Sequence, residues 1–409
     1  MKHRILVIAH GHPDFSLGGA EMAAYQFFKA SQAHPEVEAS TFLAAHGQTA
    51  TGAIRSRRKD EYLWEQTTHG SFQFQAANRQ STLTAFRSLI EYLRPTTVFM
   101  HHYTSLGLET IRVLRDVVPG VKIIMTLHEM LAICNNNGQM VKTTDLRLCV
   151  RESPEECHGC FPNLPIETFW LRKQFIKSYF NLVDHFVTPS HFLRERYIEW
   201  GIPETRISTI ENGQASSRKL PPRPLRNNEG RTRFGFFGQI NPYKGIDLLL
   251  EAVSGLSDEV KARITVEING ANLEHQDVNF QASFKKLYAP LKEEGIVHFV
   301  GPYLRNDLPN RMARIDWLLV PSIWWENSPM VIQEAFALGR PVICSNIGGM
   351  AEKVRHGVDG WHVEARSVRE WSEALSYLSS ENSCWQELYD GITEPLTYRD
   401  CVDAHLEII

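Results

Sequence analysis

No stretch of the 409-residue chain approaches the roughly eighteen consecutive apolar residues of a membrane span, so a transmembrane helix is not expected. Charge of one sign is also missing. Lys and Arg number 43 against 47 Asp and Glu, and the formal net charge of −4 gives no reason to expect a nucleic-acid partner. There is no low-complexity tract and no detectable sequence repeat. The start MKHRILVIAHGHPDF runs from a short strand straight into a polar loop, unlike a secretory signal, so the chain is read as cytosolic. Cysteine is sparse and odd in number, with seven in all, which fits a reducing compartment better than a disulfide framework.

What is present is ordinary globular composition, 43% hydrophobic and 22% charged, in a chain long enough for two domains with cores of their own. Short runs rich in Val, Ile and Phe alternate with helical stretches, the pattern of βα units around a parallel sheet. The first half offers strands at 5–10, 38–45, 97–102, 121–128 and 184–190; the second at 233–238, 262–270, 296–301, 316–322 and 341–345. Between them lies a stretch dense in Pro, Ser, Asn and Arg. The expected organisation is therefore α/β: a Rossmann-like domain over 1–213, a linker over 214–232, and a second Rossmann-like domain over 233–385. A cleft between two such domains is the default binding site.

Chemistry concentrates where strands are expected to end. In SIWWENSPMVIQEAFALGRPV, residues 322–342, Ser328 suits an N-cap, Pro329 the first helical position and Gly339 a left-handed C′ residue, so a buried helix is expected over about 329–338. Glu326 and Glu334 flank its start. An ion pair with a neighbouring base would explain either glutamate; sugar hydroxyls and phosphate at an open helix N-terminus would explain both. After the first expected strand comes HGHPDFSLGGAE, whose Gly18 and Gly19 allow close backbone approach or simply shape a turn; the spacing is not G-x-G-x-x-G. His128 and Glu129 close the strand at 121–128, and Lys244 sits near a helix start. Taken singly, that histidine reads as structural and that lysine as a solvated charge.

Together the motifs resemble the retaining GT-B glycosyltransferases called glycosyl transferases group 1, or family 4. The matching residues are SLGGAE at 16–21, LHE at 127–129, 187–213, GFFGQINPYKGIDLLLEA at 235–252 and VPSIWWENSPMVIQEAFALGRPVICSNIGGMAE at 320–352, in family order. The resemblance implies a nucleotide-sugar donor (UDP-, GDP- or another) held mainly by the second domain, and a glycan or lipid-linked acceptor held mainly by the first. Glu326 would meet the donor sugar, Glu334 the ribose hydroxyls and Lys244 the diphosphate; Asn327 and Ser328 would belong to the same donor site. His128 would stand at the reacting centre, and the amides of Gly18 and Gly19 would approach the phosphates. The segment 386–409 would cross back to the first domain.

Two residues depart from the pattern. Gln239 stands where an arginine is frequent, and Pro329 where a glycine amide is frequent, which would shift donor contacts to the amides of Met330 and Val331. The chain has no Asp-x-Asp, so no catalytic metal is expected. Other classes fit less well: a non-catalytic nucleotide-sugar scaffold, or an epimerase or phosphorylase of the same fold.

Three features stand apart. Cys134, Cys149, Cys157 and Cys160 include a C-x2-C pair and suit a structural zinc, free thiols or a reversible disulfide. The segment WLRKQFIKSYF at 170–180 mixes Arg172, Lys173 and Lys177 with aromatics, as in a core helix or one resting peripherally on the inner face of an anionic membrane. RSRRK at 55–59 reads as a solvated loop.

Overall fold

The computed structural model describes residues 2–409 except 17, 48, 49, 217, 228 and 381. Leu17 of the SLGGAE stretch, and Ser217 and Asn228 of the expected linker, thus lie outside the described residues. The chain divides into two compact units, 1–213 with 396–409, and 214–395.

The first unit contains strands β1 His3–Ala9, β2 Val37–Ala45, β3 Ile54–Arg58, β4 Glu61–Trp64, β5 Thr68–His69, β6 Gln75–Ala76, β7 Thr97–Met100, β8 Lys122–Thr126, β9 His185–Thr188 and β10 Ile207–Thr209. Eight of them form one sheet in the order β10-β9-β8-β7-β1-β2-β4-β3, while β5 and β6 pair as a small antiparallel ribbon. Pairing in the large sheet is parallel except between β3 and β4. Ile5, Leu6, Val7, Ile8 and Ala9 are all buried, as expected of a central strand covered on both faces. Helix Gly19–Gln32 lays Ala24, Phe27 and Phe28 on that core, and helix Tyr398–Leu406 adds Val402 to it. The latter starts with a capping box, Thr397 Oγ accepting from the Asp400 amide while Asp400 accepts from the Thr397 amide.

The second unit contains β11 Arg233–Gln239, β12 Thr265–Ala271, β13 Val297–Phe299, β14 Trp317–Val320, β15 Val342–Ser345 and β16 Gly360–Val363, in the all-parallel order β13-β12-β11-β14-β15-β16. Successive strand residues supply opposite faces, as the pleat requires. Phe236 and Leu319 join one apolar cluster with Leu249, Trp371 and Leu375, whereas Phe237 and Leu318 join another with Ile332, Phe336 and Met350. Helices therefore cover both faces.

Three expectations need correction. RSRRK contributes an edge strand, not a loop: its arginines are exposed as expected, but the backbone pairs with β4, and charge on an edge strand is a common guard against further pairing. The stretch at 214–232 belongs to the second unit, where buried Arg223 bonds Asp316 at 2.9 Å and Tyr389 Oη donates to the Leu220 carbonyl at 3.0 Å. The return to the first unit begins at 396, ten residues later than expected, because Trp385 donates from its indole to the Asp316 carbonyl and keeps helix Asn382–Gly391 in the second unit.

Candidate functional site

In the second sheet the chain moves outward from β11 through β12 to β13 on one side, and from β14 through β15 to β16 on the other. The switch point lies between β11 and β14, and ligands of open α/β sheets bind at the carboxyl ends of strands flanking such a point. Loops 240–245 and 321–329 leave there. Asn241 Oδ1 accepts from the amides of Tyr243 and Lys244 at 3.0 and 3.2 Å, shaping the turn that carries Lys244. Gly245 follows with φ +67°, and any Cβ on it would lie 2.0 Å from the Pro321 carbonyl oxygen, so only glycine lets the two loops touch.

The result is a contact between residues 82 apart in sequence. Lys244 Nζ lies 2.5 Å from Glu326 Oε1, which also accepts from Ser322 Oγ at 2.8 Å and the Trp324 indole at 2.9 Å. All three donors converge on Oε1; among the described residues none bonds Oε2. Burial opposes ionisation of Glu326, but the charge of Lys244 and the three donors outweigh it and hold the carboxyl below its ordinary value. The bland explanation of this glutamate is thus part of the answer, since it is ion-paired. Behind it, the Gly349 amide donates to the Glu326 carbonyl at 2.7 Å, and a Cβ on Gly349 would fall 1.6 Å from the Asn327 carbonyl oxygen.

Helix Met330–Ala337 begins one residue later than expected. Pro329 is the N-cap, with extended ψ of 112°, and Ser328 makes no cap: its Oγ is buried without a partner among the described residues. The physical reason is that Pro329 itself takes an extended conformation, so the first helical residue is Met330 and Ser328 stands one residue too early to cap it. The amides of Met330 and Val331 open the helix, where intrahelical acceptors are lacking. Gly339 has φ +70°, the left-handed conformation expected of it. Glu334, one turn along, differs from Glu326. Burial raises its carboxyl to about 7 against the opposing charge of Arg305, and no described side chain bonds it. Gln239 is exposed at the end of β11.

In the first sheet the switch point lies between β1 and β7. Three strands there end in histidine: His10 after β1, His101 and His102 after β7, and His128 after β8 and Leu127. His101 Nδ1 lies 3.2 Å from His128 Nε2, and the His10 and His102 rings are 4.3 Å apart. Burial and the neighbouring His10 push His128 down to about 3, with Glu21 opposing. Glu129 is raised to about 8 by burial although the Leu131 amide bonds it. Glu21 accepts from Ser16 Oγ at 2.6 Å and approaches His10 Nε2 at 3.3 Å; these outweigh its burial and hold it at about 2. Gly18 is the N-cap of helix Gly19–Gln32, and a Cβ there would lie 2.1 Å from Glu21 Oε2, so its smallness makes room for that carboxylate. Arg172, in the segment read as a core helix or a membrane-resting one, is buried and bonds the carbonyls of Phe72, Leu131 and Ala132 at 2.8, 2.6 and 2.6 Å, tying helix Ile166–Phe180 to the segment after His128.

The sequence reading did not single out Ser322, Trp324, Gly349, Glu21 or His101 as site residues. The signal for His101 was visible, a strand ending in two histidines; for Trp324 only its closeness to Glu326 could have served. The four cysteines that follow His128 form no disulfide and are half-buried. Hydrogen bonds from the Cys149 amide to the Met140 carbonyl and from Thr143 Oγ to the Cys160 carbonyl, both 2.7 Å, bring their segments together. Yet no three His, Cys, Asp or Glu among the described residues are arranged to hold a metal ion. Burial raises the thiols of Cys134, Cys149 and Cys157, the last to about 12.

Two doubly wound parallel-sheet domains, each with polar residues gathered at its switch point, define the class of fold; its structural neighbours are GT-B glycosyltransferases. Anabaena HepE in complex with UDP and glucose superposes with a TM-score of 0.66 at 16% identity over 99% of both chains. Sucrose-phosphate synthase of Thermosynechococcus elongatus gives 0.66 at 15% identity, over 98% of this chain and 94% of that one. At such identities the likeness shows the fold. The family model for Glycosyltransferase Family 4 matches residues 38–217 and that for Glycosyl transferases group 1 matches 218–393. The chain belongs to this family. Among curated relatives, a D-inositol 3-phosphate glycosyltransferase of Nocardioides is 30% identical over 194 residues, 42% of this chain and 41% of the relative. A mannosylfructose-phosphate synthase of Agrobacterium fabrum is 29% identical over 167 residues, 39% and 37% of the two chains. The matches span under half of the relatives' lengths.

Proposed function

We propose that the protein is a retaining, metal-independent glycosyltransferase that moves a sugar from a nucleotide-sugar donor to a glycan or lipid-linked acceptor. One observation carries the reading: at the second switch point a lysine, an anchored carboxylate and a helix start come together. Glu326 is immobilised through Oε1, which leaves Oε2 to accept a sugar hydroxyl in a defined direction. Lys244 supplies positive charge for a diphosphate, and the amides of Met330 and Val331 supply donors. Glu334, which has no described partner, can take the paired hydroxyls of a ribose. HepE's complex with UDP and glucose makes a UDP-sugar the first donor to try.

Breaking a sugar–phosphate bond leaves negative charge on the diphosphate, so preorganised donors on that group supply most of the transition-state stabilisation. In the same-face displacement we assign, the departing phosphate oxygen takes the acceptor proton. For a lipid-linked acceptor, Trp170 and Leu171 matter, since both are more than half exposed and give the first unit an apolar edge suited to a bilayer surface. No helix among the described residues is long and apolar enough to cross a membrane.

A second reading, nucleotide-sugar binding without turnover, is favoured by the closed Lys244–Glu326 pair, which already neutralises the lysine. The test has two stages. A thermal-shift screen of nucleotide sugars names the donor, because a ligand that binds only the folded state raises the melting temperature. Product analysis by anomeric NMR, with and without EDTA, then decides: transfer with the donor's configuration kept and no metal requirement supports the proposal. Inversion, isomerisation, phosphorolysis or binding alone contradicts it.

A further inference from the structure

We propose that His101 is a positioning residue for His128: it donates its Nδ1–H to His128 Nε2 and thereby keeps the His128 proton on Nδ1. The proposal rests on the reading of His128 as the residue at the reacting centre. The rings lie 5.4 Å apart at an interplanar angle of 20°, with the two nitrogens 3.2 Å apart. They arrive from adjacent parallel strands, β7 and β8, so the sheet sets their spacing. Burial and neighbouring histidines disfavour the charged form of both rings. A neutral pair at this distance shares one hydrogen, and whichever ring donates must leave its other nitrogen unprotonated.

The far side of His101 decides between the two arrangements. His101 Nε2 is buried and has no partner among the described residues, with the Phe27 ring centred 5.4 Å from that of His101. With the proton on Nδ1, Nε2 is a bare lone pair. With the arrangement reversed, Nε2 would be a buried N–H without an acceptor, the rarer and less tolerated case. His101 therefore donates, His128 accepts at Nε2, and His128 carries its own proton at Nδ1. The neighbouring His102 is set the opposite way by backbone: its Nδ1 accepts from the amides of Tyr103 and Thr104, both at 3.0 Å, so its proton is on Nε2, 3.4 Å from Glu129 Oε1. Two adjacent histidines are thus fixed as opposite tautomers. A fixed tautomer gives His128 one donor of constant direction for a substrate oxygen, where an unfixed ring would offer it in only part of the molecules.

The test is ¹⁵N–¹H correlation of histidine-labelled full-length protein at pH 7.5, combined with steady-state kinetics on the substrates found by the screen above. The expected result is an Nδ1–H tautomer for His128 in the parent. His101→Leu mixes the tautomers and lowers kcat at least about tenfold with little change in donor KM. His101→Asn, whose amide nitrogen falls near the place of Nδ1, keeps both the tautomer and most of kcat. If His101→Leu does not fold, the parent and Asn spectra still decide. An Nε2–H tautomer in the parent, or an unchanged His128 spectrum in His101→Leu, overturns the proposal. Full activity in His128→Ala, with the tautomer still dependent on His101, overturns the catalytic reading of His128 and leaves the coupling standing.

Discussion

Replacing Lys244 by methionine keeps the length of the side chain and removes its charge, which leaves Glu326 buried beside two neutral donors. In the parent the burial of Glu326 is outweighed by Lys244, so its folded pKa lies below the ordinary 4.5. That contribution to stability is present above the ordinary value and is lost as pH falls through the folded pKa. In Lys244→Met the balance reverses and the folded pKa rises above the ordinary value. The penalty is then full at high pH and disappears as Glu326 takes up a proton. Removing one partner of a buried pair costs about 3–5 kcal/mol. Lys244 is 27% exposed and the Ser322 and Trp324 donors remain, so the cost falls at or below the bottom of that range, about 2–3 kcal/mol at pH 8. For a unit of this size the melting temperature should fall by about 5–10 °C. A carboxyl raised by about two units accounts for this loss, and at pH 5 only about 1 kcal/mol should remain. Urea unfolding of parent and variant at pH 5 and pH 8 measures the difference, with Glu326→Gln and the double variant closing a cycle. The reasoning is refuted if the Lys244→Met penalty is the same at both pH values, or if the two single effects add to within about 0.5 kcal/mol.

The remaining predictions concern neighbouring residues. Gly349→Ala should weaken donor binding at least about tenfold, because its Cβ displaces the 326–327 backbone; circular dichroism checks the fold and calorimetry the affinity. Glu334, raised to about 7, destabilises the folded chain as pH climbs from the ordinary carboxyl value to 7, while its ionised form accepts hydroxyls better. Donor affinity should therefore rise between pH 6 and pH 8, and Glu334→Gln should flatten the profile. Arg172→Met leaves three carbonyls without their donor and should cost about 3 kcal/mol or more, read as a lower urea midpoint. Flotation with anionic vesicles should require Trp170, so Trp170→Ala should abolish it; a parent that stays in solution at low salt points to a soluble glycan acceptor.

Much of this architecture could be read before any coordinates, because buried parallel strands are nearly continuous apolar runs: β1 and β14 show themselves in ILVIA and WLLV. Short or charged strands hid. In β3 three arginines outweigh the strand pattern, and β16 is four residues beginning with glycine. The helix at 330 was legible to within a residue, and the error came from placing Pro329 in the first helical turn, where its backbone is instead extended. At the site, Lys244 and Glu326 could each be singled out, but not their contact, which exists only because β11 and β14 are neighbours in the sheet. The same holds for His101 and His128, joined by the pairing of β7 with β8. Single positions carry residue chemistry; sheet order carries the geometry, and local sequence does not encode it.

The central claim is that Lys244, Glu326 and the start of helix Met330–Ala337 hold a nucleotide sugar. Isothermal titration of the parent, Lys244→Ala and Glu326→Ala with a panel of UDP- and GDP-sugars tests it most directly. The account predicts saturable binding of at least one sugar nucleotide by the parent and a loss of at least about a hundredfold in each variant. Binding that survives both substitutions, or a parent that takes up no sugar nucleotide, contradicts it.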